Sequence, residues 1–203
     1  MYFLIESMTY RNQYWHYKKI IPERICDEIV LFFKNKRKIK AVVGSDNFLN
    51  QKIRQSSVVF DRENLWIDHL INPYIRNANI KSGWKFEIDC PETHQFTEYK
   101  INQHYNWHMD EHSKPYDTND FRNNKIRKLS MSLCLSHEDS YQGGDFLIST
   151  LESGNKKKIH KIKELKGKGS LIVFPSYTIH KVEPVTKGTR HSLVIWYLGN
   201  PYR

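Results

Sequence analysis

Three histidines and four acids lie close together in the stretch "EYKINQHYNWHMDEHSKPYD" of this 203-residue chain. Their spacing allows two kinds of metal site. On a helix, His104, His108 and His112 would share one face, because each lies four residues from the next. On a strand, His108 and Asp110 would share a face, because side chains alternate from one side to the other. The two arrangements imply different metals, so the secondary structure of this stretch decides between them.

The composition of the stretch favours a strand. Its central part, "TEYKINQHYNWHMD", lacks Ala and Leu and is rich in Tyr, Trp, Asn, Ile and Thr. We therefore predict that His108 and Asp110 offer an imidazole and a carboxylate from one strand end, while His104 and His112 lie beyond reach of the same ion. A third ligand must come from elsewhere, and His180 is the best candidate because it follows the buried strand in "GSLIVFPSYTIH". The weaker candidates are His137, His160 and His191.

An arginine, Arg190, follows His180 by ten residues. Two histidines and one carboxylate leave three metal positions open, which suits a non-haem Fe(II) oxygenase. Arg190 stands at the head of the apolar stretch "RHSLVIWYLG", and its planar guanidinium can bind a carboxylate through two hydrogen bonds. The alternative for this arginine is an edge position in water.

The elements that must position these residues change in type near residue 85. Before that point, "IPERICDEIVLFFKNKRKIK" predicts a helix with Pro22 near its start, and "DRENLWIDHLINPYIRNAN" predicts a helix capped by Asp61. Between them, "RQSSVVF" predicts a short strand. After residue 85 we predict eight strands, each bounded by Gly, Pro, Asn or Asp. They are "WKFEID", "QFTEYKI", "KLSMSLCLS", "GDFLIST", "KKIHKIKEL", "GSLIVFPS", "IHKVEPV" and "RHSLVIWYLG".

The strand patterns indicate the fold. In "LSMSLCLS" apolar residues alternate with small ones, as in a strand with two unlike faces, and "GSLIVFPS" is apolar throughout its middle, as in a strand buried on both faces. We predict a mainly β protein with N-terminal helices and a double-stranded β-helix, or jelly-roll, core. The predicted organisation is a single domain over residues 1–203, with the helical layer at about 1–84 and the core at about 85–200.

Composition and charge restrict the class of protein. The formal net charge is +10, which permits an acidic or nucleic-acid partner, but many of the lysines and arginines lie in runs typical of loops and edge strands. Cys26, Cys90 and Cys134 form no CxxC motif, so we expect free thiols. No signal peptide is evident, and no apolar run approaches the ~18 residues of a membrane span. We expect a soluble, cytoplasmic protein.

Taken together, these patterns resemble the 2-oxoglutarate- and Fe(II)-dependent oxygenases, specifically their prolyl 4-hydroxylase and PKHD-type branch. The matching elements are "EYKINQHYNWHMD", "RKLSMSLCLS", "YQGGDFLI" and "GKGSLIVFPSYTIHKVEPVTKGTRHSLVIWYLG", which span about 99–199 in the order and spacing of the family. The resemblance implies that the iron ligands are His108, Asp110 and His180. It implies that 2-oxoglutarate is bound through its distal carboxylate by Arg190, Tyr99 and Ser192. It implies that the pocket or substrate groove is lined by Tyr105, Arg127 and Trp196.

The resemblance also implies the chemistry. The cofactors are Fe(II), 2-oxoglutarate and O2, with ascorbate as reductant, and the products besides the hydroxylated substrate are succinate and CO2. The favoured substrate is a prolyl residue in a protein or peptide, as in procollagen-proline 4-dioxygenase.

Three alternatives to prolyl hydroxylation differ in their requirements. One is an oxygenase acting on another side chain or a small molecule. A second is a nucleic-acid demethylase, but that family has a second arginine six residues after the first, where this chain has Trp196. A third is a non-catalytic jelly-roll module that binds zinc or a sugar. Such a module has no need of Arg190, so the combination of this arginine with the three ligands favours the oxygenase.

Overall fold

The computed structural model describes residues 12–41, 52–151 and 157–202. Within these ranges it contains two α-helices and fifteen β-strands. The helices are α1, Glu23–Lys34, and α2, Leu65–Lys81. The strands are β1 Trp15–Tyr17, β2 Ile39–Lys40, β3 Arg54–Gln55, β4 Ser57–Asp61, β5 Cys90–Pro91, β6 His94–Tyr99, β7 His104–His108, β8 Ile126–Cys134, β9 Tyr141–Gly143, β10 Phe146–Leu151, β11 Lys157–Lys161, β12 Leu171–Pro175, β13 Ile179–Val182, β14 Val185–Gly188 and β15 Arg190–Gly199.

Two antiparallel sheets form the core. The larger, eight-stranded sheet has the order β1-β12-β8-β15-β6-β4-β2, with β5 added beside β15. The smaller, five-stranded sheet has the order β11-β10-β13-β7-β3, and β14 pairs separately with β9. The predicted mainly β, jelly-roll fold is confirmed.

The larger sheet has two unlike faces, and β8 shows both. Leu129, Met131 and Leu133 belong to a core cluster that also contains the buried residues of both helices. Cys134, on the other side of β8, belongs to a second cluster that includes residues of the smaller sheet. The alternation of β8 therefore places its leucines under the helices and its small residues inside the barrel.

The helices cover the outer face of the larger sheet because each has one apolar side. In α1 the buried residues are Cys26, Ile29 and Phe33, which recur at helical spacing. The Phe33 ring stacks on Phe96 of β6, with ring centroids 5.3 Å apart. Burying a side chain of this size stabilises the fold by about 1.5–3 kcal/mol. No helix in the described ranges is both long enough and apolar enough to cross a membrane.

Two local predictions were wrong. Asp61 does not cap the second helix, because it ends β4, and α2 begins after Asn64. The "WKFEID" segment forms no strand: Asp89 alone among its residues donates a backbone hydrogen bond to the sheet, at Leu198, before the short β5.

Other parts agree with the sequence or add to it. "RQSSVVF", predicted as one short strand, is extended but divides at Ser56 into β3 of the smaller sheet and β4 of the larger sheet. The segment before residue 85 also supplies β1 and β2. The three cysteines are free thiols, as predicted.

Candidate active site

The smaller sheet brings two of the predicted ligands face to face. His108 is the last residue of β7, His180 lies in β13, and the two are directly paired across these antiparallel strands. Their ring centroids are 4.1 Å apart. Asp110 lies two residues beyond the end of β7, not on the strand as predicted, and its backbone N–H donates to the Ser176 carbonyl over 2.9 Å. Because Asp110 lies beyond the end of the strand, the alternation of side chains along β7 does not determine the direction of its side chain.

These three side chains form a compact donor set. The Asp110 carboxylate lies 3.6 Å from Nε2 of His108 and 3.6 Å from Nε2 of His180. The possible ligand atoms all lie within 4.8 Å of one another, and the described residues contain no other such group. Two imidazole nitrogens and one carboxylate are the donors of the facial triad that binds non-haem Fe(II).

Both imidazoles are held in the tautomer that a metal requires. Nδ1 of His108 lies 2.7 Å from the Asn106 carbonyl, and Nδ1 of His180 lies 2.9 Å from the Thr178 carbonyl. Because a carbonyl only accepts hydrogen bonds, Nδ1 carries the proton in each ring and Nε2 keeps its lone pair. Burial, together with the neighbouring His180, lowers the pKa of His108 to about 3, so this imidazole is neutral near pH 7.

The carboxylate of Asp110 is ionised. Its burial raises the pKa, but His180, His108 and Arg127 outweigh that effect and lower the pKa of Asp110 to about 2. A negative charge in a buried site with two imidazoles is a suitable place for a divalent cation.

Arg190 is a buried cation beside this group. It begins β15, pairs with Tyr99 at the end of β6, and is only 2% exposed. Its Nη1 donates to the Ser192 hydroxyl over 3.2 Å, and it also shares a hydrogen bond with Tyr141. Within the described ranges no aspartate or glutamate forms an ion pair with it. A buried guanidinium without an acidic partner fits the carboxylate of a ligand.

A glycine makes room for this arginine. A Cβ atom added to Gly144 would lie 2.9 Å from Cδ of Arg190, and the φ angle of Gly144 is +61°. Both the contact and the left-handed backbone favour glycine here.

A small cavity of about 30 Å³ is lined both by the donor set and by the arginine. Eight of the nine predicted site residues line it: His108, Asp110, His180, Arg190, Tyr99, Ser192, Tyr105 and Trp196. The Tyr105 ring stacks on His108 at a centroid distance of 3.4 Å. The indole N–H of Trp196 is buried and has no hydrogen-bond partner in the described part of the chain.

Arg127 is the ninth predicted residue, and it does not line the cavity. Its Nε and Nη2 donate to the two carboxylate oxygens of Glu92 over 2.7 and 3.1 Å. Its guanidinium lies 3.8 Å from the centroid of the Trp196 ring. Arg127 therefore packs against Trp196, which lines the cavity, and does not line the cavity itself.

The two other histidines of the opening stretch lie outside the donor set. His104 is near the Asn102 and Lys52 carbonyls, and His112 hydrogen-bonds with the Tyr116 hydroxyl over 3.1 Å. The even spacing of the three histidines does not bring them together, as expected for a strand.

Sequence reasoning missed several residues around the site. Gln95, Ser132 and two phenylalanines, Phe146 and Phe174, line the cavity, while the Ser176 carbonyl accepts the backbone N–H of Asp110. One signal was present in the sequence: the alternation in "LSMSLCLS" puts its serines on the face opposite to the leucines, and hence inside the barrel.

Comparison with known proteins identifies a family over the part of the chain that contains this site. The family model of the 2OG-Fe(II) oxygenase superfamily matches residues 94–198, just over half of the chain. A PKHD-type hydroxylase of Synechococcus sp. is 37% identical over 92 residues, covering 45% of this chain and 35% of the relative. A PKHD-type hydroxylase of Prochlorococcus marinus is 30% identical over 145 residues, covering 70% and 55%. The chain thus spans only about a third to a half of the length of these relatives.

Solved structures share the fold at lower identity. A Pseudomonas putida prolyl-4-hydroxylase has a TM-score of 0.65 at 16% identity, with 91% of this chain and 92% of that chain covered. The viral collagen prolyl hydroxylase of Paramecium Bursaria Chlorella virus-1 has a TM-score of 0.63 at 18% identity, with 93% and 97% covered. The carbocyclase SnoK from nogalamycin biosynthesis has a TM-score of 0.61 at 12% identity, with 93% and 80% covered.

The family match covers both histidines, Asp110 and Arg190. The chain belongs to the 2OG-Fe(II) oxygenase superfamily, whose cofactors are Fe(II), 2-oxoglutarate and O2.

Proposed function

We propose that this protein is an Fe(II)- and 2-oxoglutarate-dependent dioxygenase that hydroxylates prolyl residues in a protein or peptide, releasing succinate and CO2. We include in this proposal that residues 1–203 act as a single oxygenase domain. The observation that carries it is the buried Arg190, which has no acidic partner among the described residues and opens on the same cavity as His108, Asp110 and His180. The arginine alone, or the three metal-binding side chains alone, would not define the reaction. Together they can bind a metal and an anionic cosubstrate.

The metal would be held by Nε2 of His108, Nε2 of His180 and the Asp110 carboxylate. The backbone carbonyls bound to Nδ1 orient both rings before the metal arrives, so little ring freedom remains to be lost on binding. The carboxylate contributes the negative charge that suits a hard divalent ion.

The distal carboxylate of 2-oxoglutarate would be held by Arg190. The guanidinium is rigid and planar, and its bond to Ser192 fixes its orientation. Tyr99 borders the same position, with its ring centroid 5.6 Å from the guanidinium carbon. Burial strengthens the attraction between this cation and an anion, because water screens it less there.

The bound iron and 2-oxoglutarate supply the oxidative chemistry, in which decarboxylation to succinate is coupled to hydroxylation of a C–H bond. The protein positions these partners and excludes water. Phe146 and Phe174 form part of the apolar cavity wall and also pack against the His180 ring, at centroid distances of 5.4 and 4.7 Å.

Tyr105 and Trp196 form the wall where we place the substrate. The unpaired indole N–H of Trp196 suits a carbonyl acceptor, such as a peptide group, because a buried donor left unpaired costs free energy. The PKHD-type hydroxylases and prolyl hydroxylases among the similar proteins support a prolyl substrate, and one of these structures is a prolyl hydroxylase in complex with a hypoxia inducible factor peptide. SnoK shares the same fold, so the fold by itself selects no substrate.

The test measures whether a peptide stimulates the conversion of 2-oxoglutarate to succinate. With Fe(II), ascorbate and 2-oxoglutarate, the purified protein should form succinate, and proline-containing peptides should stimulate it. The matched control peptide has alanine in place of proline. Mass spectrometry should locate one added oxygen on the proline. Turnover that no proline peptide stimulates would exclude prolyl hydroxylation and point to another substrate class.

A matched pair of variants tests the iron site itself. His108→Ala removes a proposed ligand, whereas His104→Ala removes a histidine four residues earlier on the same strand and outside the donor set. We expect succinate formation to be abolished in the first and retained in the second. Equal turnover by wild type and His108→Ala would contradict the iron-site assignment.

A further inference from the structure

Arg127 is bound by Glu92 and lies on the face of the Trp196 ring. Its Nε and Nη2 donate to the two oxygens of the Glu92 carboxylate over 2.7 and 3.1 Å, and the two side chains are 14% and 5% exposed. The guanidinium carbon lies 3.8 Å from the centroid of the Trp196 ring. Because a carboxylate binds a guanidinium in its own plane, the flat faces stay available for stacking on an aromatic ring.

The backbone closes these contacts into a ring. The N–H of Glu92 donates to the Trp196 carbonyl over 2.7 Å, so the residue that binds Arg127 is itself fixed to the residue on which Arg127 stacks. Nη1 of Arg127 also donates to the Asp110 carbonyl over 3.3 Å. Arg127 therefore connects the Trp196 ring with the segment that carries a proposed metal ligand.

The Trp196 side chain has no hydrogen bond to hold it in place. It lines the cavity and is 6% exposed, and its buried indole N–H finds no acceptor within the described ranges. The orientation of such a ring depends on packing alone, since its side-chain torsions have more than one allowed value. A cation fixed by two hydrogen bonds and attracted to the ring face favours one of these orientations.

We propose that Arg127, fixed by Glu92, is a positioning residue that holds the Trp196 ring in one orientation in the cavity wall. Arg127 then acts on the substrate through Trp196 and not by touching it, which differs from the contact that the family resemblance implies. The statement about the substrate rests on the function proposed above, whereas the statement about the ring does not.

Fluorine NMR of protein labelled with 5-fluorotryptophan tests the ring directly. The chain has five tryptophans, and Trp196→Leu identifies the resonance of Trp196. The double variant Arg127→Met/Glu92→Gln removes the guanidinium without leaving an unpaired buried charge. We expect the Trp196 resonance, single and narrow in the wild type, to broaden or split in this variant. It should stay narrow in Arg122→Met, the matched control, because Arg122 bonds chiefly to the exposed Asp120.

Thermal unfolding shows whether the double variant folds. An unchanged Trp196 resonance in the folded double variant would overturn the proposal, as would an equal change in Arg122→Met. If the double variant does not fold, Arg127→Lys takes its place. Lysine keeps the charge but cannot form the two parallel bonds to Glu92, so the Trp196 resonance should broaden here too, and an unchanged resonance would again overturn the proposal.

Peptide kinetics separate action through Trp196 from contact with the substrate. We expect the double variant to raise KM for a proline peptide about ten-fold, whereas the same change in a Trp196→Leu background should have almost no effect, because residues that act through one another are not additive. Equal rises in both backgrounds would assign Arg127 a direct substrate contact and overturn the proposal. If no proline peptide stimulates the wild type, the proposed function fails, and the fluorine spectrum still decides whether Arg127 positions Trp196.

Discussion

Two arginines on neighbouring strands, Arg127 partly buried and Arg190 fully buried, differ in whether an acidic side chain of the protein pairs with them. Arg127 on β8 is bound through two hydrogen bonds by Glu92, whose side chain is 5% exposed. Arg190 on β15 has hydroxyl partners but no acidic one among the described residues. The fold neutralises the first arginine with its own carboxylate and provides no acidic partner for the second among the described residues. The two arginines therefore differ in the partner that the fold provides for the guanidinium.

The surroundings of Arg127 strengthen this contrast. Its Nη1 also donates to the Asp110 carbonyl over 3.3 Å, and the Tyr116 hydroxyl donates to Glu92. The arginine thus joins the Asp110 segment, Glu92 and the Trp196 ring. A contact between Arg127 and substrate, as implied by the family resemblance, stays a prediction, and it would have to form beside an ion pair that already occupies the guanidinium.

The largest effect on stability should come from Glu92→Ala. Removing this carboxylate leaves Arg127 as a buried cation without its anion, which should lower the free energy of unfolding by about 3–5 kcal/mol. Denaturant unfolding measures the change. The control is Glu138→Ala, which removes an exposed ion pair with Lys19 and should leave stability unchanged. Similar unfolding curves for the two variants would show that Arg127 does not depend on Glu92.

Arg190→Met should produce the opposite pattern. The methionine replaces the buried cation by an apolar chain, so the protein without ligand should be as stable as the wild type or more stable. Binding of 2-oxoglutarate, measured by calorimetry with Mn(II) present, should weaken about 100-fold, because a buried charge pair loses one partner. A variant that lost stability and kept its affinity for 2-oxoglutarate would place Arg190 with Arg127 as a structural residue.

The smallest effect should come from Arg190→Lys. Lysine keeps the positive charge but not the planar fork, so one of the two hydrogen bonds to the carboxylate is lost. We expect 2-oxoglutarate affinity to fall about ten-fold, since a hydrogen bond to a charged group contributes roughly 1.5 kcal/mol or more. An affinity as low as that of Arg190→Met would mean that geometry, and not charge, dominates this site.

The fold could be predicted where the local pattern carries the information. "LSMSLCLS" alternates with a period of two, and it forms most of β8 with its leucines under the helices. Where the pairing of backbone groups determines the secondary structure, the local sequence pattern was insufficient to predict it. "WKFEID" has strand-like composition but finds almost no partner strand, and Asp61 has a capping side chain but ends β4. These outcomes depend on neighbours that are distant in sequence.

The residues of the candidate site were also predicted only in part. His108, Asp110, His180 and Arg190 came from residue types and family resemblance, and the structure brings all four to one cavity. The contact between Ser176 and the Asp110 backbone could not be identified, because it joins two positions that are distant in sequence and lie outside the strands. The location of Asp110 beyond the strand end could not be predicted from the sequence either, since the end of β7 is set by its pairing with β13.

His108 and His180 occupy facing positions on paired strands, so the number of residues between them along the chain is unconstrained. Residues inserted into the loops of this interval would lengthen a connection at a small entropic cost. One residue inserted within β7 or β13 would turn a histidine to the other face of the sheet. Chains with this site can therefore differ widely in length between the two histidines, provided that every insertion falls outside the two strands.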